Sequence, residues 1–305
     1  METRVPLGAV LVGLDESAES ARALSWAATE ARRRRWPLHL MHVVHDAAWI
    51  YSTSTTTNYP MTPVVRDAVV MLSDWHPDLP VTWSQPAGDP AALLADGAHA
   101  ARVTAVGSRG RGAVSDAVLG SVTTQLIAQT RCPVAVLRAG TPIAHPDAPV
   151  VVGVGHDTLS LPLLDAAFEQ ASSRHVDLVV VHAWQLDGPT IADHLELQGL
   201  TAEGAQRHEA GLLTRMVADL AQDHPEVEVS THAVRDGAAR TLGRHAADAA
   251  LLVVGSRGRG EIGGAILGSV SQSVIRSATC PVLVVRGGRT TVTVPSDQTV
   301  AEASS

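Results

Sequence analysis

The sequence predicts an α/β protein built from two tandem Rossmann-like domains, each a five-stranded parallel sheet with helices on both faces. Three observations lead there. The chain has 305 residues, enough for two domains of ordinary size that each bury a core without disulfides. Hydrophobic residues make up 45% and aromatics only 3%, so the core must be built from Val, Leu, Ile and Ala, as buried parallel strands usually are. The chain also repeats itself, because Ala9-Val10-Leu11-Val12-Gly13 falls on Pro149-Val150-Val151-Val152-Gly153 at an offset of 140, which also places His42 on His182.

Further along, Gly-Ser-Arg-Gly-Arg-Gly recurs at Gly107 and Gly255, Leu-Gly-Ser-Val at Leu119 and Leu267, and Cys-Pro-Val at Cys132 and Cys280. These three share an offset of 148, so the second copy is eight residues longer in between. Within each copy short apolar runs alternate with helical periodicity, the signature of βαβ units. Strands are expected near 9–14, 38–44, 80–84, 103–106 and 134–137, and near 149–154, 177–183, 227–233, 250–254 and 282–285. The first helix is expected to begin at Ser17 or Ser20, with Ala21, Leu24, Ala28 and Ala31 as its apolar stripe. The Ser/Thr-rich stretch from Tyr51 to Pro63 reads as a mobile loop near the carboxyl edge of the sheet. Ala139 to Pro149 is rich in Pro, Gly and Ala without periodicity and reads as the linker, which gives domains at 1–143 and 144–290 and a frayed tail at 291–305.

Charge narrows the partners. A formal net charge of −8 with pI near 5.9 gives no general attraction to polyanions, so neither nucleic acid nor an anionic membrane surface is expected as a partner. No Lys occurs, which removes Schiff-base chemistry and the phosphate-binding Lys of a P-loop. The apolar run Leu7–Leu14 is short and meets Asp15 and Glu16 at once, so it reads as a strand and not a signal peptide. Cys132 and Cys280, each before Pro-Val, read as structural thiols of a reduced, cytoplasmic protein.

The candidate site is the doubled glycine pattern. Gly107-Ser108-Arg109-Gly110, nine residues, then Gly120-Ser121 surrounds a loop that joins a buried strand to a helix. Glycine lets the main chain approach an anion closely, and a helix start points its N–H groups and the favourable end of its dipole at that anion. Arg109 and Arg111 add positive charge at the rim. Gly255, Arg257, Gly258, Gly268, Ser269 and Val270 repeat the pattern. A lone Gly-x2-Gly would mean no more than a turn, but here the full spacing occurs twice.

Gly-x2-Gly-x9-Gly-Ser after an apolar strand, Val12-Gly13-Leu14-Asp15 at the start and Cys-Pro-Val at the last strand together resemble the universal stress protein family, in its ATP-binding branch. The resemblance covers nearly the whole chain, twice. It implies sheet order 3-2-1-4-5 and ATP, with or without Mg, at the switch point beyond strands one and four. Carried over, Leu14 and Asp15 meet the nucleoside, Val43 meets adenine through its backbone, and Gly107 and Gly110 cradle phosphates. Gly120, Ser121 and Val122 bind at the helix start. The resemblance also implies pairing of the two domains through their fifth strands, with a further homodimer left open. The second copy departs from the pattern where Asp15 falls on Gly155, with Asp157 the nearest carboxylate, so a stronger site is expected in the first domain.

Other constellations carry less. His39, His42 and His45 alternate through a strand and have no matching carboxylate cluster, so no metal site is expected. Ser108 and Ser256 lack the elbow and partners of a hydrolase triad, so no catalytic residue is assigned. Arg32 to Arg35 read as a solvated helix end, where positive charge suits the dipole. The function expected is an ATP-binding stress or dormancy regulator acting through nucleotide-dependent conformation or partner binding. The alternatives are slow ATP hydrolysis at the same site and a nucleotide-free interaction scaffold.

Overall fold

The computed structural model describes residues 4–44, 61–110, 119–141, 145–155, 160–185, 201–256 and 267–286. The first half runs β1 (Ala9–Gly13), α1 (Ala18–Arg34), β2 (Leu38–Met41), α2 (Pro63–Trp75), β3 (Val81–Ser84), α3 (Pro90–Gly97), β4 (Ala101–Gly107), α4 (Ser121–Gln129) and β5 (Val134–Leu137). The second half repeats it as β6 (Val150–Gly153), α5 (Leu161–Arg174), β7 (Leu178–Trp184), α6 (Ala202–Asp223), β8 (Val229–Arg235), α7 (Ala238–His245), β9 (Leu251–Gly255), α8 (Ser269–Ser277) and β10 (Val282–Val285). Every strand begins within two residues of its expected start, although β2 stops at Met41, where the sequence pattern had run on to Val44.

The strands form one sheet in the order β3-β2-β1-β4-β5-β10-β9-β6-β7-β8, so each half has the order 3-2-1-4-5. Pairing is parallel within each half and antiparallel where β5 meets β10, with Ala135 opposite Leu283. Because both faces of the sheet are covered, the strands read as nearly unbroken apolar runs. Val10 and Val12 belong to the core on the face covered by α1, α2, α5 and α6, and Leu11 and Val106 to the core on the face covered by α3, α4, α7 and α8.

Local chemistry sets the helix ends. Ser17 caps α1, its hydroxyl accepting from the Ser20 amide, and Arg35 ends it in the left-handed conformation with its amide on the Ala31 carbonyl. The buried stripe of α1 is Ala23, Leu24, Ala27, Ala28 and Ala31; Ala21, expected in it, is exposed, one position off the 3.6-residue register. Pro63, expected to close a loop, instead opens α2, where its fixed φ suits the first turn and its missing N–H costs nothing. Residues 51–60 of that loop, residues 142–144 of the linker and the tail lie outside the described residues.

The Arg32–Arg35 run is not a purely solvated face. Glu30 is fully buried on the seam between α1 and α5 and holds Arg33 at 2.7 Å and Arg174 at 2.9 Å. Burial alone would raise the Glu30 carboxyl, but Arg174, Arg33, Arg34 and a hydrogen bond from Gln170 outweigh it and hold it below its ordinary value. Arg34 also lies 5.1 Å over the Trp36 ring, with Arg102 at 5.0 Å from the same ring. The arginines near the end of α1 thus serve the junction of the halves as well as the helix dipole.

Candidate functional site

Neighbouring parallel strands whose following helices lie on opposite faces leave a crevice beyond their carboxyl ends. In the first half those strands are β1 and β4, because α1 covers one face and α4 the other. Ser108 continues beyond β4 by giving its amide to the Leu137 carbonyl at 2.7 Å, and its own carbonyl takes the Gly120 amide at 2.9 Å. The turn and the start of α4 are thereby tied together. Thr123 adds a second tie, its hydroxyl donating to the Gly107 carbonyl at 2.7 Å.

Asp15 meets this loop directly. A Cβ placed on Gly110 would lie 2.7 Å from Asp15 Oδ2, so only glycine allows the carboxylate and the turn to approach this closely. The other oxygen, Oδ1, accepts from the Ser17 amide at 2.9 Å and from its hydroxyl at 2.5 Å, which fixes the carboxylate at the helix entry. Ser17, not Asp15, is the cap of α1, and Asp15 orients it. Gly120 is the N-cap of α4 and brings no side chain to bond the first-turn amides, which leaves Ser121 and Val122 at an uncapped helix start.

Gly107 has a different reason for its size. A Cβ there would lie 2.7 Å from Glu19 Cβ and 2.9 Å from the Arg109 carbonyl, so its hydrogen lets α1 seat against the end of β4. Arg109 is likewise engaged within the protein, with its Nη2 2.8 Å from Glu19 Oε1. Glu19, which sequence reasoning passed over, thus positions the loop arginine and moderates its charge. Val43 sits past β2, where His42 and Val44 give their amides to the β3 side. Strand alternation turns the Val43 peptide groups the other way, toward the space beyond β1.

The second half rebuilds the frame with mostly the same side chains. The Asp15 amide bonds Ser20 Oγ at 2.9 Å and the Gly155 amide bonds Ser160 Oγ at 2.9 Å. The Nδ1–H of His42 donates to the Leu14 carbonyl at 2.8 Å, and that of His182 to the Val154 carbonyl at 2.9 Å. Ser256 gives its amide to Val285 and takes that of Gly268, whose helix α8 again has no side-chain cap, while Ser271 replaces Thr123 on the Gly255 carbonyl. Ser269 and Val270 open α8 as Ser121 and Val122 open α4. Arg257, Gly258, Asp157, Arg111 and His45 lie outside the described residues.

The remaining candidates have structural partners. His39 is fully buried between Thr82 Oγ1 at 2.8 Å and Ser84 Oγ at 2.9 Å, and burial pushes its pKa down to about 4. Cys132 and Cys280 are free and buried, and burial pushes both thiols up to about 12, so neither is a nucleophile near neutral pH. Ser108 and Ser256 are buried, and the bonds that hold their loops run through their backbones. Among the described residues no helix is long and apolar enough to cross a membrane.

Two Rossmann-like halves in one sheet, in each of which the residue after the fourth strand is tied through its backbone to the start of a helix without a side-chain cap, define a tandem α/β protein. The sequence profile of the universal stress protein family matches residues 7–138 and again 148–286, and the chain belongs to that family. It is 35% identical over 294 residues to universal stress protein Rv2005c of Mycobacterium tuberculosis, an alignment covering 91% of this chain and 96% of that one. It is 33% identical over 296 residues to universal stress protein Rv2623 of the same organism, at the same coverage. In fold it is similar to the crystal structure of a universal stress protein from Archaeoglobus fulgidus, with a TM-score of 0.62 and 20% identity over 92% of this chain and 98% of that one.

Proposed function

We propose that this universal stress protein binds ATP in its first half and acts as a cytoplasmic regulator whose conformation or partner surface depends on nucleotide occupancy. The observation that carries this reading is the convergence of Asp15, Gly110 and the uncapped start of α4 at one switch point. The uncapped amides and helix dipole suit phosphate oxygens, a carboxylate suits ribose hydroxyls, and the Val43 peptide suits an adenine edge. On this reading Leu14 and Asp15 hold the nucleoside, and Gly110, Gly120, Ser121 and Val122 hold the phosphates. Gly107 and Arg109 act through the packing of α1 and the bond to Glu19. A divalent ion such as Mg would travel with the triphosphate, since no cluster able to hold a metal occurs among the described residues.

The second half supports a weaker site. It keeps Gly255, Gly268, Ser269 and Val270 in the same frame but has Gly155 where the carboxylate belongs and Leu159 where Glu19 stands. Pairing of the halves through β5 and β10 supplies the stable body on which occupancy would act. Slow turnover of ATP is the competing reading; among the described residues the carboxylates at the turn are Asp15, which already accepts from Ser17, and Glu19, which holds Arg109. Chromatography of the nucleotide released from purified protein tests all three readings. Retained ATP is the expected result; ADP accumulating with time would favour hydrolysis, and protein that neither retains nor rebinds nucleotide would favour a scaffold.

A further inference from the structure

His232, exposed on the edge strand β8, and His245, half-buried in the last turn of α7, stand together with ring centroids 5.0 Å apart and planes tilted by 46°. Among the described residues neither ring has a hydrogen-bond or ion-pair partner. His39, His42 and His182 differ, since their ring nitrogens bond Thr82 and Ser84, the Leu14 carbonyl and the Val154 carbonyl. Asp236, the carboxylate in the turn from β8 to α7, is taken by Arg240 at 3.3 Å and Arg244 at 2.6 Å. Burial, His232 and Arg244 lower the pKa of His245, so its imidazole is neutral near pH 7 and keeps a nitrogen lone pair.

The fold does not require this pair. The offset of 148 carries His232 onto Ser84, which bonds His39, and His245 onto Gly97. A Cβ on Gly97 would lie 3.0 Å from Met41 Cε and 3.1 Å from Val5 Cγ2, so the first half packs that position shut. Only the second half carries an imidazole at both places.

The spacing has a chemical meaning. An imidazole coordinated at about 2.0–2.1 Å has its ring centre about 3.2 Å from the ion, so two on one tetrahedral ion stand roughly 5.2 Å apart. The separation here is 5.0 Å. The outer torsion of a histidine side chain is soft, so the nitrogens turn toward a common point without backbone movement. We propose that His232 and His245 form an open, two-imidazole site for a divalent transition metal of the zinc, nickel or copper class. No group of three such ligands occurs among the described residues, so the pair supplies half of a tetrahedral shell, and water or a donor group of a bound molecule supplies the rest. Oxygen-seeking Mg is not a ligand for it. The site lies on β8 and α7, which the proposed nucleotide site does not use, and it holds or fails independently of nucleotide binding.

Zinc chloride titrated calorimetrically into the full-length chain, free of affinity tag and nucleotide, tests the proposal. The wild type should show one event tighter than the background of its other histidines. His232→Ala and His245→Ala should each weaken that event at least about tenfold, and the double variant no further than either single, because one imidazole cannot chelate alone. Two unrelated surface histidines would instead give losses that add. His232 is exposed, so its variant keeps the fold, checked by circular dichroism, and His245→Asn repeats the test if His245→Ala does not fold. Zinc affinity unchanged in His232→Ala, or single losses that add in the double variant, would overturn the proposal.

Discussion

The two halves share a frame and differ in what stands on it. Both bond the residue after the first strand to a helix serine, lock the second strand to the first with a histidine, and tie the glycine turn to an uncapped helix. The first adds Asp15 against Gly110 and Glu19 on Arg109, where the second has Gly155 and Leu159 in place of the two acids. The helix starts differ too, with α1 beginning at Ala18 under a Ser17 cap and α5 at Leu161 with no side-chain cap. The second half builds the same sheet without the carboxylate and without a side-chain cap on α5, so Asp15 and Ser17 serve the entry of α1 and not the sheet, and the proposed site uses the carboxylate oxygen that faces Gly110.

The largest expected effect that would break this comparison is Gly110→Glu. A side chain there meets Asp15 at once and fills the turn, so nucleotide affinity should fall about 100-fold or more, on the order of 3 kcal/mol, with circular dichroism unchanged. Calorimetric titration of ATP measures it, and unchanged affinity would move the site elsewhere.

Next comes a pH effect expected to be larger in the first half, although burial and the neighbouring His232 and Arg244 also lower His245 in the second. His39 has Val179 as its counterpart, and its folded pKa of about 4 lies below the unfolded value near 6.5. A histidine kept neutral by burial contributes stability above pH 6.5 that is lost as pH falls toward 4, because the unfolded chain then binds the proton. At pH 5 the loss is roughly 2 kcal/mol, since each tenfold difference in proton affinity between the folded and unfolded chain is worth about 1.4 kcal/mol. Hydrogen exchange at pH 7 and pH 5 should show β1–β3 losing protection more than β6–β8. Equal losses in both halves would place the acid-sensitive group elsewhere.

Two smaller effects sharpen the same contrast. Asp15→Ala should weaken ATP binding about tenfold, roughly 1.5 kcal/mol for one charge-assisted hydrogen bond, with a small fall in the thermal midpoint because Ser17 loses its acceptor. Gly155→Asp, the reciprocal graft, should strengthen a second-half site by no more than a few-fold, about 0.5 kcal/mol, because Leu159 still stands in place of Glu19. Both are read by the same titration; a graft as strong as the first-half site would mean that the carboxylate alone makes the difference.

The strands and the glycine turn were legible because each rests on local pattern or on repetition, and the strand order because the family resemblance implied it. Val10, Leu11 and Val12 announce a strand buried on both faces, and the offset confirms it in Val150, Val151 and Val152. What stayed hidden depends on partners far along the chain. Glu19 reads as an ordinary first-turn acid until Arg109, ninety residues on, reaches it. Arg33 and Arg34 read as a solvated helix end because their carboxylate, Glu30, looks like one more surface charge on α1; only the arrival of α5 buries it. Gly107 was legible as a required glycine, but the cause at that position is the close approach of Glu19 at the start of α1 and of the Arg109 carbonyl.

The central claim, that the first half carries the working nucleotide site, is tested most directly by titrating ATP into full-length wild type, Gly110→Glu and Gly258→Glu side by side. One tight site per chain that disappears in Gly110→Glu and survives in Gly258→Glu is the predicted result. Tight binding that survives Gly110→Glu and disappears in Gly258→Glu would contradict it.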